Sequence, residues 1–332
     1  MRAILTRRSF LRSGAAAAST LATAGWLQKL ASAAELSADQ IGTNLPFLGV
    51  DLFQALDWVY DLGFRTVEPM GAGDIRPRER AAPGVVVQKL GAEDREKVRK
   101  SIRRFRHRSI HLPFGGMVVV GDDEALVSRS RRTMEEAFET AAFLEVETAV
   151  IHCIPPRTKG DAWKELVELY HGWAEKTKPL GFRLALETGY PRSVRDFVRF
   201  IRDVDHPNLG ATIDVGHQIG YPEFRKRFGK KIPNSPEAYR AYNDVLHELI
   251  DRLGAKLWHF HIHDIDPTIW KEHKPVVHGV IDYPRLFAKL KQTGFGGLMI
   301  FEIAPVPGAD MREVLAESRT KVVGYLRAAS SA

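Results

Sequence analysis

From residue 41 onward, short apolar runs rich in β-branched residues alternate with longer segments in which apolar positions recur at helical spacing. Such runs are typical of buried strands, and the 3.6-residue period is typical of helices that pack against a sheet. The pattern predicts eight strands, at residues 41–44, 66–69, 109–113, 148–153, 183–188, 210–214, 257–264 and 298–303. No glycine-rich phosphate-binding sequence follows the first strand. Eight βα repeats of this kind favour a single closed α/β barrel, the (β/α)8 or TIM barrel, over an open doubly wound sheet.

The helical pattern is clearest at residues 51–62, 124–144, 161–178 and 284–293. The longest interruption, residues 220–242, is rich in lysine and arginine. We expect a solvated charged loop there, and the alternative is a lid that meets an anionic substrate. No shift in composition marks a boundary between domains, so residues 34–332 are predicted to form one barrel catalytic domain.

The N-terminal residues follow a different pattern. Residues 6–11 read Thr-Arg-Arg-Ser-Phe-Leu and precede an apolar stretch at residues 14–27, which is the arrangement of a twin-arginine (Tat) export signal. The apolar stretch is shorter than the ~20 residues of a membrane-spanning helix, so stable membrane insertion is not expected. Small residues at 31–33 provide a cleavage site. Residues 1–33 are therefore predicted to engage the Tat export machinery and to leave a periplasmic or secreted protein, with an uncleaved anchor as the alternative.

The charge of the chain comes largely from this predicted signal. Residues 1–33 carry five lysines and arginines and no acid, so the net charge of +7 falls to about +2 for the remainder. A protein with so little excess charge is not expected to bind nucleic acid. Cys153 is the only cysteine, which excludes an intrachain disulfide and leaves stability to a packed core. A homo-oligomer is compatible with the sequence.

Charged and imidazole residues cluster where the later predicted strands end. Because the carboxyl ends of parallel barrel strands open onto one mouth, these side chains are expected to share a pocket although they are far apart in the chain. Several buried carboxylates in one pocket would repel each other unless a cation neutralises them. The residues are His111, His152, Glu187, Asp214, His217, His261, His263, Asp264 and Glu302.

Four of these residues predict a metal site. Glu187, Asp214, His261 and Glu302 each come late in an apolar strand. Three carboxylates and one imidazole form a hard, mostly oxygen ligand set that favours Mn²⁺, with Mg²⁺, Co²⁺ or Zn²⁺ also compatible. The choice of His261 over its two neighbours does not follow from spacing, because residues 259, 261 and 263 share one face of the strand.

The motifs around these residues resemble those of the xylose isomerase-like superfamily of barrels, which includes endonuclease IV-like barrels, and the likeness covers nearly all of residues 41–327. The resemblance implies that Glu187, Asp214, His261 and Glu302 bind the metal and that the two glutamates also act as the acid/base pair. The motifs are Leu-Glu-Thr at 186–188, Ile-Asp-x-Gly-His at 213–217, His-x-His-Asp at 261–264, Gly-Val-Ile-Asp-Tyr at 279–283 and Gly-Leu-Met-Ile-Phe-Glu at 297–302.

Further residues are expected to bind the substrate. Glu68, His111 and His217 match family positions that line the sugar site, and His217 also matches one that binds a further metal. His152 and His263 are added because they lie at or near predicted strand ends.

The predicted function is a metal-dependent sugar isomerase or epimerase that moves a proton through an enediolate of a keto-sugar or related polyol. A keto-sugar or keto-glycoside lyase or dehydratase on the same site is the alternative. A third possibility is cleavage of DNA at abasic sites, because His111, His152 and His217 resemble ligands of the endonuclease branch of the superfamily. The predicted export, the weak net charge and the missing Asp-x-His after Asp264 argue against it. A non-catalytic sugar-binding barrel is the fourth possibility.

Overall fold

The computed structural model describes residues 36–229 and 231–331, and the predicted export signal at residues 1–33 lies outside them. Eight of the strands in the described residues close into a parallel barrel in the order β1-β10-β7-β6-β5-β4-β3-β2, and β8 and β9 form a separate antiparallel hairpin. The strands are β1 (Ile41–Thr43), β2 (Thr66–Val67), β3 (His107–His111), β4 (Thr148–His152), β5 (Arg183–Glu187), β6 (Leu209–Asp214), β7 (Leu257–Ile262), β8 (Asp264–Asp266), β9 (Lys271–Lys274) and β10 (Leu298–Phe301).

Helices surround the barrel. Across the described residues, no helix is both long and apolar enough to cross a membrane. The α-helices are α1 (Leu52–Asp61), α2 (Ala92–Ile102), α3 (Glu124–Phe143), α4 (Trp163–Thr177), α5 (Val194–Val204), α6 (Pro222–Phe228), α7 (Pro236–Leu253), α8 (Tyr283–Thr293) and α9 (Met311–Ser331). Short 3₁₀ helices occur at Ala38–Gln40, Val87–Lys89, Lys178–Leu180, His217–Gly220 and Gly254–Lys256.

The TIM-barrel fold and all eight predicted barrel strands are confirmed. The barrel closes where β1 pairs in parallel with both β10 and β2. At Gly42 a Cβ atom would lie 2.6 Å from Thr66 Cγ2 and 2.8 Å from Ile300 Cδ1, so the close approach of these strands requires glycine.

Helix α5 illustrates how the outer layer forms. Its buried residues recur at helical spacing and face the sheet, while the charged residues between them face solvent. Ser193 accepts a hydrogen bond from the backbone N–H of Asp196 (2.9 Å) and so caps the first turn. Full burial of each phenylalanine contributes about 1.5–3 kcal/mol. The buried residues are Val194, Phe197, Phe200, Ile201 and Val204.

The prediction of a solvated loop at residues 220–242 is wrong. The segment contains α6 and the start of α7, and each helix begins with a proline, which suits the first helical turn. Phe224 of α6 is fully buried against the rings of Tyr242 and Trp270, each with a centroid distance of 5.1 Å. This packing, to which the partly buried Phe228 adds, fixes the helix among many charged residues. Tyr242 and Trp270 are distant from α6 in the chain.

Candidate active site and metal centre

The three imidazoles of the β7 region face the barrel interior, where each meets a carboxylate from another strand. His259 Nε2 lies 3.2 Å from Glu68 Oε2, and His261 Nδ1 lies 3.0 Å from Glu187 Oε1. His263 Nε2 lies 3.1 Å from Asp214 Oδ1. All three imidazoles are fully buried. The alternation of strand side chains therefore builds one connected polar layer across the mouth.

His261 is the centre of this layer. Its Nδ1 lies 3.0 Å from Glu187 Oε1 and 2.9 Å from Glu302 Oε2. Its Nε2 donates to Glu68 Oε1 at 2.8 Å. A neutral ring with its proton on Nε2 turns a lone pair toward two carboxylates, so either a second proton or a metal cation must stand at Nδ1.

The geometry fits a cation. Ligands bound to one ion at about 2.1 Å and at right angles lie about 3.0 Å apart, the separation that joins His261 Nδ1 to the two glutamate oxygens. Glu302 Oε2, the oxygen that faces His261 Nδ1, is buried and makes no hydrogen bond within the described chain. Glu187 Oε2 also has no well-formed hydrogen bond there, although it lies 2.9 Å from His152 Nε2. Buried carboxylate oxygens of this kind are normally paired or bound to metal. Glu187, His261 and Glu302 can therefore hold a divalent ion, with Glu68 fixing the orientation of the imidazole.

Imidazoles also set the charge of Glu187. Burial disfavours its ionised form, but His152, His261 and His111 outweigh that effect and hold the pKa of Glu187 well below its usual range. Burial likewise opposes ionisation of Glu302, and His261 lowers the pKa of that carboxyl. Both glutamates are therefore carboxylates at neutral pH, the form that binds cations.

Asp214 is connected to this group through His217. The buried Asp214 Oδ1 accepts hydrogen bonds from the backbone N–H groups of Gly216 (2.7 Å) and His217 (3.1 Å). His217 Nδ1 lies 3.6 Å from Glu187 Oε1, and its Nε2 lies 3.8 Å from Asp214 Oδ1. Burial disfavours protonated His217, but Asp214 and Glu187 overcome this and raise its pKa to about 9.

The other predicted site residues surround the same cluster. His111 Nε2 and His152 Nε2 approach Glu187 Oε2 at 3.3 Å and 2.9 Å. His152 and His217 line the open cavity, whereas Glu68, His111 and His263 are buried. Glu68 makes a hydrogen bond to His261, and His263 makes one to Asp214. Substrate contact stays a prediction for all five residues.

Two residues of the site were missed by the sequence reasoning, Glu272 and His273 on β9. His273 Nδ1 donates to the backbone carbonyl of Glu302 at 2.9 Å, and its Nε2 lies 4.0 Å from Glu272 Oε1. Ligand atoms of His217, Glu272 and His273 lie within 4.8 Å of one another, so these three side chains could hold a second ion. Glu272 and His273 lie in the segment after Asp264, where the Asp-x-His motif is missing. In the sequence, the signal for these two residues is the adjacent acid and histidine, Glu272-His273, after the strand that bears His261.

Asp264 has a structural role. Its carboxylate accepts from the backbone N–H groups of Gly279 (2.7 Å), Val280 (3.2 Å) and Ile281 (3.3 Å). This carboxylate therefore fixes the turn that leads into α8, and the 279–283 motif reflects the turn geometry.

A cavity of about 1040 Å³ opens above the carboxylate–imidazole cluster. Its walls come from the segments that follow β3, β4, β5 and β6 and from the β8–β9 hairpin. His152, His217, Glu272 and His273 lie at its inner surface. The cavity lies at the carboxyl ends of the strands, where barrel enzymes carry their active sites, and His152 and His217 connect it to Glu187.

Comparisons with known proteins agree with this architecture. The sequence model of the family described as xylose isomerase-like TIM barrel matches residues 56–320. The uncharacterized protein MJ1311 of Methanocaldococcus jannaschii is 24% identical over 226 residues, which cover 63% of this chain and 68% of that protein.

Two solved structures share the fold. The 3-keto-D-glucoside 4-epimerase YcjR of E. coli is 17% identical with a TM-score of 0.58, over 85% of this chain and 99% of that chain. A xylose isomerase-like TIM barrel protein from Mycobacterium smegmatis, in complex with magnesium, is 19% identical with a TM-score of 0.59, over 87% and 97% of the two chains. At these identities the likeness shows the fold alone.

Proposed function

Because this chain belongs to the xylose isomerase-like TIM barrel family, we propose that the cluster at its barrel mouth is the active site of a metal-dependent sugar epimerase or isomerase. One observation carries the proposal: carboxylate oxygens of Glu187 and Glu302 converge within 3.0 Å on the same nitrogen of His261. The solved 3-keto-D-glucoside 4-epimerase of the same fold supports sugar chemistry, and the magnesium complex supports a divalent ion.

Glu187, His261 and Glu302 would hold the ion, with Asp214 as the fourth predicted ligand. Mn²⁺ suits this set best, and Mg²⁺, Co²⁺ or Zn²⁺ are also compatible with it. When bound, a divalent ion supplies a Lewis acid that polarises a substrate carbonyl.

The two glutamates supply the proton transfer. Glu187 ends β5 and Glu302 follows β10, and β6 and β7 separate these strands in the barrel. Their carboxylates therefore approach the common point from different sides. One carboxylate can remove the proton beside a carbonyl, and the other, once it has taken up a proton from solvent, can deliver that proton to the opposite face, which inverts the carbon. The buried Glu68 holds His261 in place during these steps.

The test is exchange with solvent. Protein loaded with Mn²⁺, Mg²⁺, Co²⁺ or Zn²⁺ is incubated in heavy water with a panel of ketoses and keto-glycosides, and deuterium is followed by NMR. We expect label at a carbon next to the carbonyl, lost after chelation and restored by metal. Absence of label with every pairing of metal and sugar would rule out the proposed proton transfer.

A lyase or dehydratase is the second candidate, and the size of the cavity favours it. A volume of about 1040 Å³ lies at the upper end of the range of about 300–1,000 Å³ for ligand pockets, which leaves room for a leaving group beside the reacting ring. The first step, removal of a proton beside a carbonyl, is shared with epimerisation. Formation of an ultraviolet-absorbing conjugated enone from a keto-glycoside distinguishes the lyase, since an epimerase produces none.

A further inference from the structure

We infer that the substrate carries an anionic group, a carboxylate or a phosphate, outside its reacting ring, and that Arg157, Arg192 and Lys271 bind this group. The inference rests on the proposed function, because it assigns the substrate class of the same cavity. It adds to that function a preference for an anionic group that is bound away from the metal centre.

The cavity holds three exposed cationic side chains in addition to the inner cluster. Arg157 lies in the segment after β4, Arg192 in the segment after β5, and Lys271 at the start of β9. In the described part of the chain, none of the three side chains has an ion-pair or hydrogen-bond partner. Among the described lining residues, the only carboxylate is Glu272, which lies with His217 and His273. The rim is therefore cationic.

The distribution of charge separates two parts of the cavity. The carboxylates and imidazoles gather where the strands end, whereas the three cations stand on the connecting segments. A neutral sugar on the inner cluster would leave these cations in contact with water alone. A carboxylate or phosphate on a second part of the ligand would accept charge-assisted hydrogen bonds from them, and arginine suits both groups.

One exposed aromatic residue beside the inner cluster indicates room for a sugar ring there. Phe114 is 45% exposed, lines the cavity and packs on His152 with a centroid distance of 4.3 Å, so it offers an apolar face at the edge of the inner cluster. An exposed aromatic face suits the C–H surface of a sugar. The inferred ligand is therefore an acidic glycoside or a phosphorylated sugar.

The experiment compares matched ligands by calorimetry on the metal-loaded full chain. One pair is digalacturonate and neutral galactobiose, and the other is fructose 6-phosphate and fructose, so the two arms distinguish a carboxylate from a phosphate. We expect the anionic member of at least one pair to bind about tenfold more tightly or better. The double variant Arg157→Gln/Arg192→Gln should reduce the preference to below about threefold and leave the affinity for the neutral sugar within about twofold.

Arg202→Gln is the matched control. This side chain is 74% exposed on α5, pairs with Asp203 and lies away from the cavity, so its removal should preserve the preference. Equal affinity for both members of each pair, or no binding of either anionic member, overturns the inference. Tighter binding of an abasic DNA duplex than of any sugar also overturns it, because the cations would then serve a phosphodiester backbone. The titration needs no turnover, so its outcome is separate from the success or failure of the exchange test.

Discussion

Two groups of histidine and glutamate in this molecule look alike in composition and differ in what they can bind. The first is the cluster of Glu187, His261 and Glu302 at the barrel mouth. The second is the outer group of His171, Glu175 and His206, on α4 and in the loop before β6, whose ligand atoms lie within 4.8 Å of one another.

Proton positions separate the two groups. In the outer group, His206 Nδ1 accepts from the backbone N–H of Asn208 at 3.0 Å, so its Nε2 must carry the proton that it donates to Glu175 at 2.7 Å. That hydrogen bond lowers the pKa of Glu175. The outer group is therefore a satisfied hydrogen-bond chain, with no lone pair left on His206 for a metal.

At the mouth the arrangement is reversed. His261 donates from Nε2 to Glu68, and its Nδ1 faces Glu187 Oε1 and the buried Glu302 Oε2, an oxygen that makes no hydrogen bond within the described chain. Residue types and distances alone therefore do not identify a metal site. The state of each nitrogen, set by its second partner, decides whether a histidine is a ligand or a donor.

The variants Glu187→Gln and Glu175→Gln test the difference between the two groups most directly. The amide keeps the shape of Glu187 but loses the charge that binds the ion and the base that takes the proton. We expect Glu187→Gln to slow deuterium incorporation by about 10³-fold, within the range for removal of a general base. Glu175→Gln makes the same chemical change in the outer group and should leave the rate within about twofold.

Both rates are measured by NMR in heavy water at saturating metal. If Glu187→Gln retained more than about a tenth of the rate, a catalytic role for Glu187 would be excluded. A comparable loss in Glu175→Gln would instead mean that the outer group contributes to the site.

The fold was accessible from sequence because buried parallel strands are local patterns. Each barrel strand is a short apolar run, and its bounds moved by only a few residues; β2, for example, ends at Val67 instead of residue 69. Helix α6 was missed because a single buried residue, Phe224, fixes it through Tyr242 and Trp270. Contacts between residues so far apart in sequence leave no local period to detect.

The site was accessible only in part, for a similar reason. Strand-end placement gathers Glu187, His261 and Glu302 correctly at one mouth, because the parallel barrel fixes that geometry. Glu272 and His273 lie on an antiparallel hairpin outside the barrel, which this rule does not describe. The hydrogen bond of Glu68 to His261 and the 3.2 Å contact of its other oxygen with His259 depend on side-chain rotamers, so no spacing rule predicts them.

Glu68→Gln changes the hydrogen-bond partner of His261 and leaves this predicted metal ligand itself intact. The amide oxygen can still accept from His261 Nε2, but the negative charge that supports the imidazole is lost. We expect the metal dissociation constant to rise by about 10–100-fold, as for other second partners of metal-binding histidines. Calorimetric titration of the metal-free protein measures it.

The exchange rate gives the internal control for Glu68→Gln. Excess metal should restore most of the rate in this variant, whereas it should not rescue Glu187→Gln. Failure of saturating metal to restore Glu68→Gln would place Glu68 in the proton transfer itself.

His206→Ala tests the outer group from the side of stability, where the smallest effect is expected. The change removes a ring that is 2% exposed, its hydrogen bond to Glu175 and the acceptor of the Asn208 N–H. Leaving that buried donor unsatisfied should cost about 1–3 kcal/mol of unfolding free energy, measured from the urea midpoint. Because His206 has no free lone pair, the amount of metal bound per chain, determined by elemental analysis, should not change. If the variant instead lost one equivalent of metal, the outer group would be a metal site. A nitrogen of His206 would then bind the ion in place of one of the two hydrogen bonds that distinguish this group from the barrel mouth.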